Sequence, residues 1–218
     1  MREETIKSIN RYLFIILRLS LLIAIIIEIL SQRWFTLFIT ILTIILTYIP
    51  WIIEKWYKLN IPDSFEILII LFIYSSIYLG EVHEFYIKFW WWDILLHFSS
   101  AIALGIIGFT ILLILYEKEK VSANPFWISL FIFSFALSIG AVWEIFEFSM
   151  DNLLGTNMQK PMLGDYSGLT DTMIDLIMDS LGALIVAIIG YLYIKTNKGT
   201  YITKTVEHLV KGIKQKTK

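Results

Sequence analysis

The chain has 218 residues, of which 57% are hydrophobic and 17% charged, with a formal net charge of −1 and no cysteine. No polar stretch is long enough to fold as a separate soluble domain, and disulfides, thiolate metal sites and a cysteine nucleophile are excluded. Nothing in this balance calls for a nucleic-acid partner, and the whole of 1–218 reads as one integral membrane domain.

Six apolar segments follow one another, at about 12–31, 34–53, 65–82, 93–115, 126–148 and 172–194. Each approaches the roughly 20 residues that an α-helix needs to cross about 30 Å of hydrocarbon. Alternating strands of about ten residues are absent, so the expected fold is an all-α, polytopic membrane bundle of six transmembrane helices and not a barrel. The first segment lacks a small-residue cleavage site and reads as a retained helix. It carries Arg18, whose expected role is snorkelling or structural pairing, and Glu28 near its far end.

Lysine and arginine orient these helices. With six spans, both termini share a side with the 54–64 and 116–125 loops. That side holds Arg2, Lys7, Arg11, Lys55, Lys58, Lys118, Lys120 and the seven lysines after residue 194, against Arg33, Lys88 and Lys160 on the other. The asymmetry predicts cytoplasmic termini in a plasma (inner) membrane. Ten of the nineteen acids then fall on or near the outer side: Glu81, Glu84, Asp93, Glu144, Glu147, Asp151, Asp165, Asp171, Asp175 and Asp179.

Several spans deliver these acids to one level. The third ends GEVHEF, with Glu81, His83 and Glu84; the fourth begins WWDILLHFSSA, with Asp93 and His97 one turn apart. The fifth ends VWEIFEFSMD, where Glu144, Glu147 and Asp151 share a face about 60° wide. The sixth opens on Asp171, Asp175 and Asp179, which project from one stripe about 80° wide. One Asp at mid-membrane costs roughly 2.5–3.5 kcal/mol, and less near an edge. Small residues continue the stripes (Gly140, Ser100, Ala101, Gly182 and Ala183), so the acidic faces are expected to meet each other and not lipid. A helix start also favours acids by roughly 0.3–1 kcal/mol, which by itself accounts for Asp93 and Asp171; Thr170 reads as an N-cap. Asp175 and Asp179 lie beyond the reach of that effect.

Glu81-x-x-Glu84-Phe85 matches Glu144-x-x-Glu147-Phe148, and Asp93-x-x-x-His97-x-x-Ser100-Ala101 matches Asp175-x-x-x-Asp179-x-x-Gly182-Ala183. These pairs raise a parallel duplication of spans 3–4 and 5–6. The loop NLLGTNMQKPMLGDYSGLT reads as a lid or substrate rim with Lys160 as its sole cation, or as a spacer. The tail 195–218 is basic and amphipathic, suited to an anionic inner leaflet or to plain positive-inside anchoring.

Carboxylates with an imidazole suit a divalent cation, Mg²⁺, Mn²⁺, Ca²⁺ or Zn²⁺. The expected metal ligands are Asp93, His97, Glu147, Asp175 and Asp179. Asp93, His97, Glu144 and Glu147 are the candidates for catalysis, with Asp171, Glu81, Glu84, Asp151 and Lys160 as secondary positions. Three functions stay open: a metal-dependent hydrolase or transferase acting on membrane lipid or a lipid-linked envelope substrate, a non-catalytic envelope binding or resistance protein, and a proton- or cation-coupled transporter.

WWDILLHF, WEIFEFSMD and GDYSGLTDTMIDLIMDSLGA resemble the signature of bacterial YjdF-type inner-membrane proteins, over spans three to six. More distantly, Asp93-x-x-x-His97-Phe98, the Glu144-x-x-Glu147 helix and the Asp-rich last helix resemble VanZ-like proteins, which have Gln where Glu147 stands. The first resemblance implies the topology and the acidic site; the second implies envelope biology and glycopeptide tolerance.

Overall fold

The computed structural model describes residues 2–57, 61, 63–117, 124–196 and 199–216. All of the regular elements among them are helical, and six helical segments are long and apolar enough to cross a membrane: Tyr12–Leu30, Trp34–Trp56, Phe65–Val82, Trp92–Leu115, Pro125–Leu154 and Leu169–Thr196. The expected all-α, six-span fold is therefore observed; five spans lie within about three residues of their expected places, and the fifth runs on to Leu154, past the expected end at 148. The chain divides into two compact units, Met1–Lys88 with Gly212–Lys218, and Phe89–Lys211.

The first unit contains the first three spans. Helix α1 covers Arg2–Leu30; the second span is broken into α2, Trp34–Leu46, and α3, Ile49–Tyr57. Pro50 explains the break, because it has no N–H to donate and its ring collides with the carbonyl of Leu46 one turn back. Arg18 satisfies a carbonyl at this break. Its Nη2 donates to Thr47 O at 3.1 Å and its Nε to Thr47 Oγ1 at 3.3 Å, with the guanidinium 4.1 Å from the Tyr48 ring centroid. The intramembrane arginine thus has the structural pairing expected of it. Glu28 is buried and accepts a 2.9 Å hydrogen bond from Thr40 Oγ1. The third span starts as α4, Asp63–Ile73, and continues as a π-helix over Tyr74–Val82, followed by the four-residue α5, Phe85–Lys88.

The second unit is built on α6 (Trp92–Glu117), α7 (Pro125–Leu154) and α8 (Leu169–Thr196), each of which packs on the other two. Helix α7 begins at an Asn124 cap, whose Oδ1 accepts from Trp127 N at 3.1 Å, with Pro125 at the first turn where no N–H is needed. It ends at Gly155, whose φ of 66° closes the helix through an N–H bond to Asp151 O. This cap lies beyond 148, so Asp151 belongs to the helix. The buried face of α7 is Ile128, Ile132, Ala136, Gly140, Glu144 and Glu147; that of α8 is Asp171, Asp175, Asp179, Gly182, Ala183, Val186, Ala187 and Gly190. Steps of three and four keep each set on one side of its helix.

Small residues allow these faces to meet. A Cβ on Gly182 would strike the Phe98 carbonyl and Ala101, so α6 and α8 touch backbone to backbone there. Helix α9, Tyr201–Lys216, carries the amphipathic tail; Thr203, Val206 and Val210 are buried, and Glu207 accepts a 2.8 Å hydrogen bond from the Tyr193 hydroxyl.

Candidate metal centre

The starts of α6 and α8 and the end of α7 lie at one end of the second unit and enclose a buried carboxylate–histidine group. Asp171, Asp175 and Asp179 descend the inner face of α8 one turn at a time, and none is more than 1% exposed. Helix α6 supplies Asp93 and, one turn deeper, His97; helix α7 supplies Glu144 and Glu147.

His97 sits at the centre. Its Nδ1 lies 3.4 Å from Asp179 Oδ2, while Nε2 lies 3.7 Å from Asp93 Oδ1 and 3.6 Å from Glu144 Oε1. The two ring nitrogens therefore face different carboxylates, contributed by all three helices. Gly140 is the seat for Asp179, since a Cβ there would overlap Asp179 Oδ2. Sequence spacing marked Gly140 only as a small residue below Glu144; its actual neighbour lies across the helix interface.

One donor atom from each of Asp93, His97 and Asp175 lies within 4.8 Å of the others. Two ligands of one ion are separated by at most twice the bond length, about 4–5 Å for bonds of about 2.0–2.6 Å. These three could hold a cation together. Both oxygens of Asp175 and Oδ1 of Asp171 are buried without a hydrogen-bond donor. Buried carboxylate oxygens without donors are costly, and a cation or a proton is what relieves them. The donor set, oxygens with one imidazole, is chemically suited to a hard or borderline divalent ion.

The other expected positions divide. Glu147 is buried and accepts a 3.0 Å hydrogen bond from Trp143 Nε1, one turn back on the same helix, and lies outside the three-residue set. Asp179 also lies outside it and instead faces the far nitrogen of His97. Asp171 accepts the backbone N–H of Lys160 at 2.7 Å, which ties the α7–α8 loop to the group. Asp151 organises the loop's beginning, taking hydrogen bonds from Thr156 Oγ1, Met158 N and Gln159 N. Lys160 contributes its backbone to Asp171, while its ammonium donates to Asn157 O. Glu81 and Glu84 belong to the first unit and are exposed, with Glu84 3.5 Å from Lys88.

Two features escaped the sequence. The start of α8 is held by Asp165, whose Oδ2 accepts from both Thr170 N and Thr170 Oγ1, so Thr170 is the donor and not the cap. Hydrogen bonds from the Ser167 hydroxyl, the Ser167 amide and Thr170 hold the Asp165 carboxyl well below the usual aspartate range. Gln159 reaches forward to Thr172 Oγ1 at 2.7 Å, a second tie between loop and helix. Polar residues of a glycine-containing loop signalled turns, but not which helix they would clasp.

Fold and site together define a multi-pass helical membrane protein with a buried carboxylate–histidine group at one end of a three-helix unit. Within that class, the chain belongs to the predicted membrane protein family DUF2238, whose model matches residues 10–196. A Thermotoga maritima protein bearing the name "Uncharacterized protein" is 30% identical over 142 residues, which is 65% of this chain and 69% of that one. No solved structure matches the chain. The YjdF-type resemblance is consistent with this family.

Proposed function

We propose that this is a divalent-metal-dependent protein of the plasma membrane, acting from the outer face on a lipid or lipid-linked envelope substrate. The observation that carries the reading is Asp175: wholly buried, with neither oxygen hydrogen-bonded, and within 4.8 Å of donor atoms from Asp93 and His97. The lysine asymmetry supports cytoplasmic termini and an outward-facing acidic end. The VanZ-like pattern around Asp93, His97 and Phe98 adds an envelope setting.

Asp93, His97 and Asp175 would hold the ion, with His97 offering the Nε2 that faces Asp93. Asp179 accepts the proton on Nδ1 and so fixes the ring's tautomer and direction. A bound divalent ion would polarise a phosphoryl or acyl oxygen and lower the pKa of a bound water. Glu144, buried and 3.6 Å from His97, is placed to take a proton beside the site. Glu147, steadied by Trp143, borders it.

Transport is the weaker reading. Below Asp179, α8 continues as Gly182, Ala183, Val186, Ala187 and Gly190, all buried and apolar. Gly182 lies against the α6 backbone, and a Cβ on Gly190 would meet Ile132. No polar stepping stones line that stripe to carry an ion onward.

The test is metal analysis of the protein purified into lipid nanodiscs, with and without Asp175→Ala. One equivalent of a divalent metal in the wild type, lost in a variant of unchanged helicity, is expected. Wild-type protein that neither contains nor takes up Mg²⁺, Mn²⁺, Ca²⁺ or Zn²⁺ would sink the proposal.

A further inference from the structure

The α7–α8 loop carries an oddity at its tip. Met162 and Asp165 exchange two backbone hydrogen bonds, of 3.1 and 2.9 Å, around a two-residue turn. Both central residues have positive φ, 51° at Leu163 and 85° at Gly164. That is the pattern of a type I′ turn, whose first central position favours Asn, Asp or Gly. A leucine there is strained, because its Cβ crowds the backbone in the left-handed region. It gains no packing in return, since Leu163 is 85% exposed. Tyr166, three residues on, is 87% exposed.

The surroundings indicate what covers them. The loop joins two membrane spans, and exposed leucines stand at both of its roots, Leu153 and Leu154 on α7 and Leu169 on α8. Helix α7 has 30 residues, about 45 Å at 1.5 Å per residue, against about 30 Å of hydrocarbon. At the average tilt of about 20° it still covers about 42 Å along the bilayer normal, which carries its ends into the headgroup layers. The loop is also prepared for a partly dehydrated place, because its charged side chains are engaged within the chain. Asp165 accepts from Ser167 and Thr170, and the Lys160 ammonium donates to Asn157 O. Tyrosine is the residue type that favours this layer, with its ring toward lipid and its hydroxyl toward water.

We propose that the Leu163–Gly164 turn and Tyr166 form a bilayer-interface anchor, in which Leu163 and Tyr166 enter the lipid surface at the acidic end of the bundle. Through Lys160 N to Asp171 and Gln159 to Thr172, the anchored loop sets the height of the buried group relative to the lipid headgroups. The inference stands on the turn and its exposure, and holds whether or not the group binds metal.

The natural chain has no cysteine, so single nitroxide labels can be placed by Leu163→Cys, Tyr166→Cys and, as a polar control on the same loop, Asn157→Cys. In vesicles of phosphatidylcholine and phosphatidylglycerol, collision with a water-soluble nickel chelate should be several-fold lower at 163 and 166 than at 157, and collision with oxygen higher. Equal nickel access at all three positions would overturn the anchor. So would protection accompanied by spin–spin broadening that vanishes on dilution with unlabelled protein, which would mean a second copy covers the tip. Adding Leu163→Asn, which suits the turn and so preserves it, should move the label at 166 toward water; a label that stays buried there removes Leu163 from the anchor.

Discussion

The chain writes Glu-x-x-Glu-Phe twice, at the end of the third span and near the end of the fifth, and the two copies meet opposite fates. Glu144 and Glu147 sit on an α-helix that continues to Gly155, with both carboxylates buried. Glu81 and Glu84 lie where a π-helix ends; both are exposed, and Glu84 has a φ of 58° and pairs with Lys88. The difference comes from the neighbours. The first pair belongs to a face that packs on α8, where Gly140 opens room for a third acid. The wider π turn shifts the angular position of every residue after Ile73, so i and i+3 no longer lie on the face that α-helical spacing assigns them. A carboxylate pair becomes a buried site only when another helix closes over it.

Substitutions can break or sharpen this contrast. The largest effect is expected from Asp175→Asn, which should weaken divalent-metal binding by more than about 100-fold in titration calorimetry, exceeding the 10–100-fold typical of outer partners. Glu84→Gln, at the exposed copy, should leave binding unchanged; equal losses from the two would erase the distinction. Asp179→Ala comes next, with affinity about 10–100-fold lower, because His97 loses the acceptor that orients its Nδ1–H. Retained affinity would show that Asp179 has no orienting role.

Gly140→Ala should lower thermal stability by about 1–3 kcal/mol, as overpacking against Asp179 does in a close-packed interior. Gly80→Ala is also crowded, but its obstacle is the Tyr86 ring on a four-residue helix, which can turn aside. A smaller loss there is expected, and the reverse order would mean that the two-helix seat is the softer of the two. The smallest effect belongs to Asp165. Its folded pKa lies below its unfolded one, so its contribution is present above about pH 3.9 and is lost as pH falls through the lower folded value. Hydrogen exchange at Ser167 and Thr170 should therefore stay slow at pH 4 and quicken only in stronger acid, and Asp165→Asn should quicken it at neutral pH.

Much of the molecule could be read from residue order alone. The spans follow from unbroken apolar runs, because backbone polar groups in lipid must be satisfied within a helix. Asp171, Asp175 and Asp179 share a stripe by helical period alone, and Asp93 and His97 are one turn apart for the same reason. The assignment of partners could not be read this way. Asp179 was as good a ligand candidate as Asp175 by spacing, yet it faces His97 Nδ1, whereas Asp175 joins the set with Asp93. Thr170 had the chemistry of an N-cap, but Asp165, five residues earlier, takes its hydrogen bonds.

Sequence by itself determined a six-span helical membrane protein with its acids gathered toward one end, since hydrophobic length and helical period are local properties. Only the tertiary structure decided which acids become a site. Burial, the approach allowed by Gly140 and Gly182, and the direction of each imidazole nitrogen all depend on side chains from helices up to about 80 residues apart in the chain.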